Sequence, residues 1–284
     1  MTDPDPLVEH VETPDRAATR AAEDAPTGSL APRLLDYWLI VHRRTWRGTV
    51  LSSLLSPLLY VVAMGVVLGG FIEDDPARLE GAASYLAFVA PGLLSAQVMI
   101  TAFGEMAWPV MGAVKWARTY EAMLASPLRV RDVVHGHLAF ALSRIVLVSV
   151  VFTAVLVPFG VFATWWAPFA IIAAQVPLGL AFCAAVHAYT LTMLSESGMM
   201  LLFRVGMLPM FLFSGAFFPV ANLPTVLEWL ARVTPLWHGV DLTRMLAIGE
   251  VDVGLAFLHL SYLCAMAAAG VWIATRALER RMRT

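Results

Sequence analysis

Charge is what this sequence has least of. Asp, Glu, Lys and Arg make up 14% of its 284 residues, against about 25% in an ordinary soluble domain. Lysine is almost missing: Lys115 stands beside eighteen arginines. The net charge of −2 says nothing about nucleic acid, and no nucleic-acid partner is expected. Cysteine is nearly as scarce. Cys183 and Cys264 both fall in apolar runs, which excludes a disulfide framework and a cysteine metal site. They read as small buried hydrophobes. The dipeptide Gly-Lys occurs nowhere, so the chain has no phosphate-cradling loop of its own. HExxH, GxSxG and CxxC are also missing, and neither a catalytic residue nor a metal or cofactor is expected in this chain.

Long apolar runs are what the sequence does have. Residues 48–72, 81–104, 205–227 and 253–275 carry no charge, and 145–195 carry none over twice the length of one crossing. The last run is interrupted by Pro158-Phe-Gly160 and by Trp165-Trp166-Ala-Pro168, a turn with interfacial aromatics. The runs lack period-two alternation, which argues against a β-barrel. The expected class is therefore all-α integral membrane. Six spans are predicted, at about 49–71, 83–106, 133–157, 168–194, 198–218 and 253–275. Residues 1–31 are predicted to be a disordered cytoplasmic tail, with seven acids and four prolines in its first 29 residues. The transmembrane domain is placed at 32–284. It opens with "PRLLDYWLIVHRRTWR" (32–47), too polar to span and suited to lie along the bilayer.

Positive charge sets the orientation. With the N-terminus inside, twelve Lys and Arg residues flank the inner ends, and only Arg78, Arg232 and Arg244 fall outside. Both termini are then cytoplasmic, and 219–252 is external. Pro219 and Pro224 interrupt the helix that ends near Phe218. Val226, Leu230 and Val233 form an apolar stripe, and Glu228 and Arg232 sit four residues apart on another face. Pro235 ends that helix. A second runs from about Leu236 to Ile248, with Gly249 suited to close it. Trp229 and Trp237 read as amphipathic anchors, so the pair is expected to cap the spans rather than to form a solvated loop.

Ionisable groups within the spans are few. Arg204 is expected to snorkel to the inner surface. Arg144, about three turns into its span, reads as a helix-packing hydrogen bonder, and His187 and His259 as hydrogen-bonded core histidines. The inner loop "AVKWARTYEAMLASPLRVRD" (113–132) places Lys115, Arg118, Glu121 and Ala122 on a helical segment. Ser126 and Pro127 are expected to cap and start the next helix.

Three stretches, "SYLAFVAPGLL" (84–94), "RTYEAMLASPLRVRDVVHG" (118–136) and "FLFSGAFFPVANLP…TPLWHGVDLTRML" (211–246), resemble the membrane permease subunit of bacterial type 2 ABC exporters. The likeness is greatest to the permeases of nodulation lipo-oligosaccharide exporters and more distant to those of drug exporters. The resemblance covers about 33–275; the acidic tail is not part of the pattern. It implies an interfacial helix at 32–47 and an ATPase-docking coupling helix at about 114–125, drawing on Lys115, Arg118, Thr119, Glu121, Ala122, Ser126 and Pro127. It also implies extracellular re-entrant helices at 219–249, built on Gly215, Pro219, Pro224, Trp229, Pro235 and Trp237. The implied partners are a separate ABC ATPase subunit, which carries the ATP and Mg, a second permease copy and membrane lipid. The implied activity is export of an amphipathic cargo across the bacterial inner membrane. Two other classes compete. An integral-membrane enzyme acting on lipid headgroups needs converging acids, histidines or metal ligands at one face. An ion-coupled transporter needs ionisable groups at mid-membrane.

Overall fold

The computed structural model describes Ile40, Leu55 and residues 58–63, 79–193 and 195–282. The expected tail, the interfacial helix 32–47 apart from Ile40, and most of the first span lie outside the described residues. All regular elements described are helical, in agreement with the all-α expectation. Five helices among the described residues are long and apolar enough to cross a membrane: Tyr85–Trp116, Val130–Phe159, Ala167–Met193, Glu196–Phe213 and Val253–Arg281.

Helix α1 (Tyr85–Met106) begins where the Ser84 hydroxyl accepts the Ala87 N–H. It continues through Trp108–Met111 into a π-turn over Gly112–Trp116, ten residues beyond the expected end at 106. The predicted coupling helix at 114–125 is therefore divided. Lys115 lies on the last turn of α1, Arg118 adopts a left-handed φ of 48°, and the short helix α2 covers Thr119–Leu124. A non-glycine residue in that region is strained, so Arg118 is held there by its surroundings. Ser126 also departs from expectation. Its hydroxyl donates back to Met123 O and closes α2 rather than capping the next helix. Helix α3 (Val130–Leu156) starts later, because the Asp132 carboxylate accepts the Arg129 N–H at 3.1 Å.

Helix α4 (Ala167–Met193) follows the Gly160 turn, which has φ 65°. Helix α5 (Glu196–Leu201) continues through a π-turn, Leu202–Met207, to Phe213. It therefore ends short of the expected 218. Helices α6 (Thr225–Val233), α7 (Pro235–Ile248) and α8 (Val253–Arg281) complete the chain.

Helix α4 is the hub. It packs against α1, α3 and α7, and most extensively along α8. The α4–α8 seam depends on Gly270, where a Cβ would lie 2.7 Å from the Ala184 carbonyl carbon. Small residues let helices approach closely where no water drives them together. Helix α7 lies against both α1 and α4. Its Thr243 hydroxyl sits 3.0 Å from Ser95 Oγ and accepts Gln175 Nε2 at 2.9 Å. Each such buried link contributes roughly 0.6–2 kcal/mol in apolar surroundings. The outward faces of α5 and α8, with Val205, Leu208, Phe257 and Trp272, remain exposed. Apolar surface on this scale suits contact with lipid or protein rather than water.

Candidate functional site

Two constellations sit at opposite ends of the bundle. At the first, α2 presents a polar surface. Lys115, Arg118, Glu121, Ala122, Ser126 and Pro127 are all exposed, and Thr119 is half-buried. Arg118 Nε lies 4.0 Å from Glu121, and Lys115 Nζ lies 3.7 Å from Glu196. Pairs this exposed contribute little to stability, on the order of 0–1 kcal/mol. They leave charge available to a partner.

Tyr120, between these exposed residues, is fully buried. Its hydroxyl lies 2.6 Å from His137 Nδ1 on α3 and 3.4 Å from His187 Nε2 on α4. Burial raises the phenol above its ordinary value, so it stays a neutral hydroxyl. Tyr120 is the one fully buried side chain of α2, and it joins that helix to two long helices. Sequence reading passed over it; the available signal was a single aromatic amid polar residues. His187 is the core histidine expected, but it shares its partner with His137.

Arg144 also has a partner. It forms an ion pair with Glu105 at 3.1 Å, joining α3 to α1. The packing role expected of Arg144 is thus carried by a salt bridge across two helices.

At the other end, Gly215 turns the chain after α5 with φ 82°. Pro219 precedes a short 3₁₀ turn, Pro224 precedes α6, and Pro235 occupies the first position of α7 behind the Thr234 cap. Gly249 closes α7 with φ 83°, as expected. Glu228 and Arg232 are paired at 2.7 Å. The stripe Val226, Leu230 and Val233 is exposed, as is Trp229. Trp237 instead packs edge-on against His238 and His259, with centroids 5.0 and 5.2 Å away.

Arg244 was counted at sequence level only as an outer charge. Its guanidinium is buried. It donates to Glu80 and to Gly215 O at 2.6 Å, reaches Phe88 O at 3.4 Å, and lies 3.9 Å above the Phe88 ring. One side chain thus joins the segment before α1, α1 itself, the turn after α5, and α7.

A second polar chain joins α7 to α8. His259 Nε2 lies 2.9 Å from Asp241, and its Nδ1 lies 2.7 Å from His238 Nδ1. Tyr262 stacks on His238 at 4.0 Å. Two facing imidazole nitrogens can share one proton but not two. Burial, and then His259 beside it, push His238 down to about 4, with Asp241 opposing. The unfolded chain therefore takes up a proton at this position below about pH 6.5, where the folded chain does not. Stability should fall as pH drops from about 6.5 toward 4. The melting temperature of the purified protein is expected to decline over that window, and to decline less in His238→Gln.

Residues 34–248 match the family described as ABC-2 type transporter. Nodulation protein J of Rhizobium leguminosarum bv. trifolii is 31% identical over 252 residues, covering 86% of this chain and 94% of that protein. Nodulation protein J of Rhizobium meliloti is 30% identical, with the same coverage. The inner membrane transport permease YadH of Escherichia coli K12 is 26% identical over 76% of this chain and 82% of its own length. No solved structure matches.

Proposed function

Because the chain belongs to the ABC-2 type transporter family, we propose that it is the permease subunit of an ATP-driven exporter in the bacterial inner membrane. A separate ABC ATPase subunit binds ATP and Mg and hydrolyses ATP. Two permease copies form the path. The cargo is an amphiphile: a lipo-oligosaccharide, a lipid-linked saccharide or a hydrophobic drug. Both termini face the cytoplasm, as the distribution of Lys and Arg favours. Residues 219–249 form the outer re-entrant pair. Its second helix lies against α1, α4 and α8.

The observation that carries this reading is α2. It exposes Arg118, Glu121 and Ala122 while burying Tyr120 between α3 and α4. A short helix with a charged outer face and one rigid inward anchor is suited to receive a push and pass it to the spans. The ATPase docks on Lys115, Arg118, Thr119, Glu121 and Ala122, with Ser126 and Pro127 at the edge.

Glu121→Ala should leave membrane insertion unchanged, because the side chain is half exposed. Losing one member of a charge pair desolvated in the complex costs about 2–5 kcal/mol of binding. Recovery of the ATPase with the mutant permease, at matched expression, should fall steeply, and export with it. Unchanged recovery and unchanged export would remove Glu121 from the docking surface.

A further inference from the structure

A groove of about 870 Å³ runs between the start of α3, the middle of α4 and the second half of α8. Its upper wall is apolar, with Pro177, Leu180 and Val271. Its lower end is polar and holds Arg131, His135 and Arg276. Glu279 is the one acid lining it. Neither Arg131 nor Arg276 has an ion-pair partner among the described residues. The Arg276 guanidinium lies 5.7 Å from the Trp272 ring centre, close to the groove floor.

The length of the groove says what it fits. Along α8 its lining extends from Cys264 to Glu279, fifteen residue steps, or about 22 Å at 1.5 Å per residue. Half of a bilayer, headgroups included, is about 20–22 Å. The cationic end lies beside α2 and the C-terminal end of α8, which the topology proposed above places at the inner surface. The apolar end lies at the level of the middle of α4. The groove is thus apolar where acyl chains lie and cationic where headgroups lie, over the depth of one leaflet.

We propose that this groove seats an anionic phospholipid of the inner leaflet. The phosphate is held by Arg131 and Arg276, and an acyl chain lies along Pro177, Leu180 and Val271. Two arginines against the one acid Glu279, neither in an ion pair among the described residues, favour a negatively charged head over a zwitterionic one. The aliphatic wall is indifferent to the head and supplies affinity for any chain of suitable length. The inference rests on the inner placement of the α2 end, but not on any ATPase or on the identity of the cargo.

The test is lipid titration of the purified full-length chain in detergent, read by native mass spectrometry. Three probes are used: dioleoyl phosphatidylglycerol, dioleoyl phosphatidylcholine and glycerol 3-phosphate. Wild type should bind phosphatidylglycerol at least tenfold more tightly than phosphatidylcholine, and excess glycerol 3-phosphate should not displace it. Arg131→Gln with Arg276→Gln should abolish the preference while still binding both lipids. Ala268→Trp, on an exposed position of the groove wall, should weaken both lipids together. Arg204→Gln, an exposed arginine elsewhere, should keep the preference. Equal affinities in wild type, an undiminished preference in the double variant, or displacement by glycerol 3-phosphate would each overturn the proposal. None of these results depends on export, so the assay fails or succeeds separately from the exporter reading.

Discussion

Replacing Arg244 by leucine should cost the folded protein about 3–5 kcal/mol, the usual penalty for leaving one member of a buried ion pair alone. The guanidinium is 5% exposed and serves Glu80, Gly215 O and Phe88 O at once. Its loss strands two carbonyls and a carboxylate and unties α7 from the segment before α1. Arg244→Lys should not rescue it, because an ammonium cannot reproduce the planar fork. Glu80→Gln should cost less, since Glu80 is 35% exposed and water can replace part of what it loses. Leucine at both positions should recover part of the loss, because no charge is then left unpaired. The check is the denaturation midpoint of the purified chain in detergent. A shift equivalent to less than about 1 kcal/mol for Arg244→Leu would mean that the cluster is not a structural tie.

The second large effect is expected at Tyr120. Truncating a fully buried aromatic to alanine typically costs about 3–5 kcal/mol, from lost burial and the cavity left behind. Tyr120→Ala should therefore lower the melting temperature sharply. Tyr120→Phe is the more informative change. It keeps the ring and removes the hydroxyl 2.6 Å from His137, at a cost of about 1–3 kcal/mol. If α2 transmits motion through this contact, Tyr120→Phe should still recover the ATPase but export less cargo per ATP hydrolysed. A variant with normal melting, normal recovery and normal export would show that the buried hydroxyl is dispensable. Full coupling with a lower melting temperature would confine Tyr120 to stability.

Membrane class was legible from charge-free runs alone, because hydrocarbon admits only long apolar helices or closed barrels. The punctuation of 214–249 was legible too, since Pro224, Pro235 and Gly249 act through local backbone rules that need no tertiary context. Element ends around α2 were not. The family resemblance implies one helix over about 114–125, and nothing local reveals that burying Tyr120 goes with a left-handed Arg118. Ser126-Pro127 looked like a helix start, yet Asp132 three residues beyond Arg129 supplied the competing cap. The polar partnerships were the least legible. Glu80 and Arg244 are 164 residues apart, and Glu105 and Arg144 lie on different helices. Charge counting treats Arg244 as an outer-loop charge, and the packing role read for Arg144 names no partner, whereas packing brings each pair together. His238 gave no signal of its own. Its role depends on His259 and Tyr262, which only the approach of α8 provides.

The most direct measurement is site-specific cross-linking between this chain and the ATPase subunit proposed as its partner. Cysteine would be placed singly at Ala122 and at Leu230, in a chain carrying Cys183→Ala and Cys264→Ala, and co-expressed with the ATPase in membranes. Both positions are exposed, one on α2 and the other on α6. A permease that receives ATPase movement through α2 predicts a cross-linked permease–ATPase product from Ala122→Cys that changes in yield with ATP, and none from Leu230→Cys. Cross-linking from Leu230→Cys, or its absence from Ala122→Cys in a complex that still co-purifies, would contradict the account.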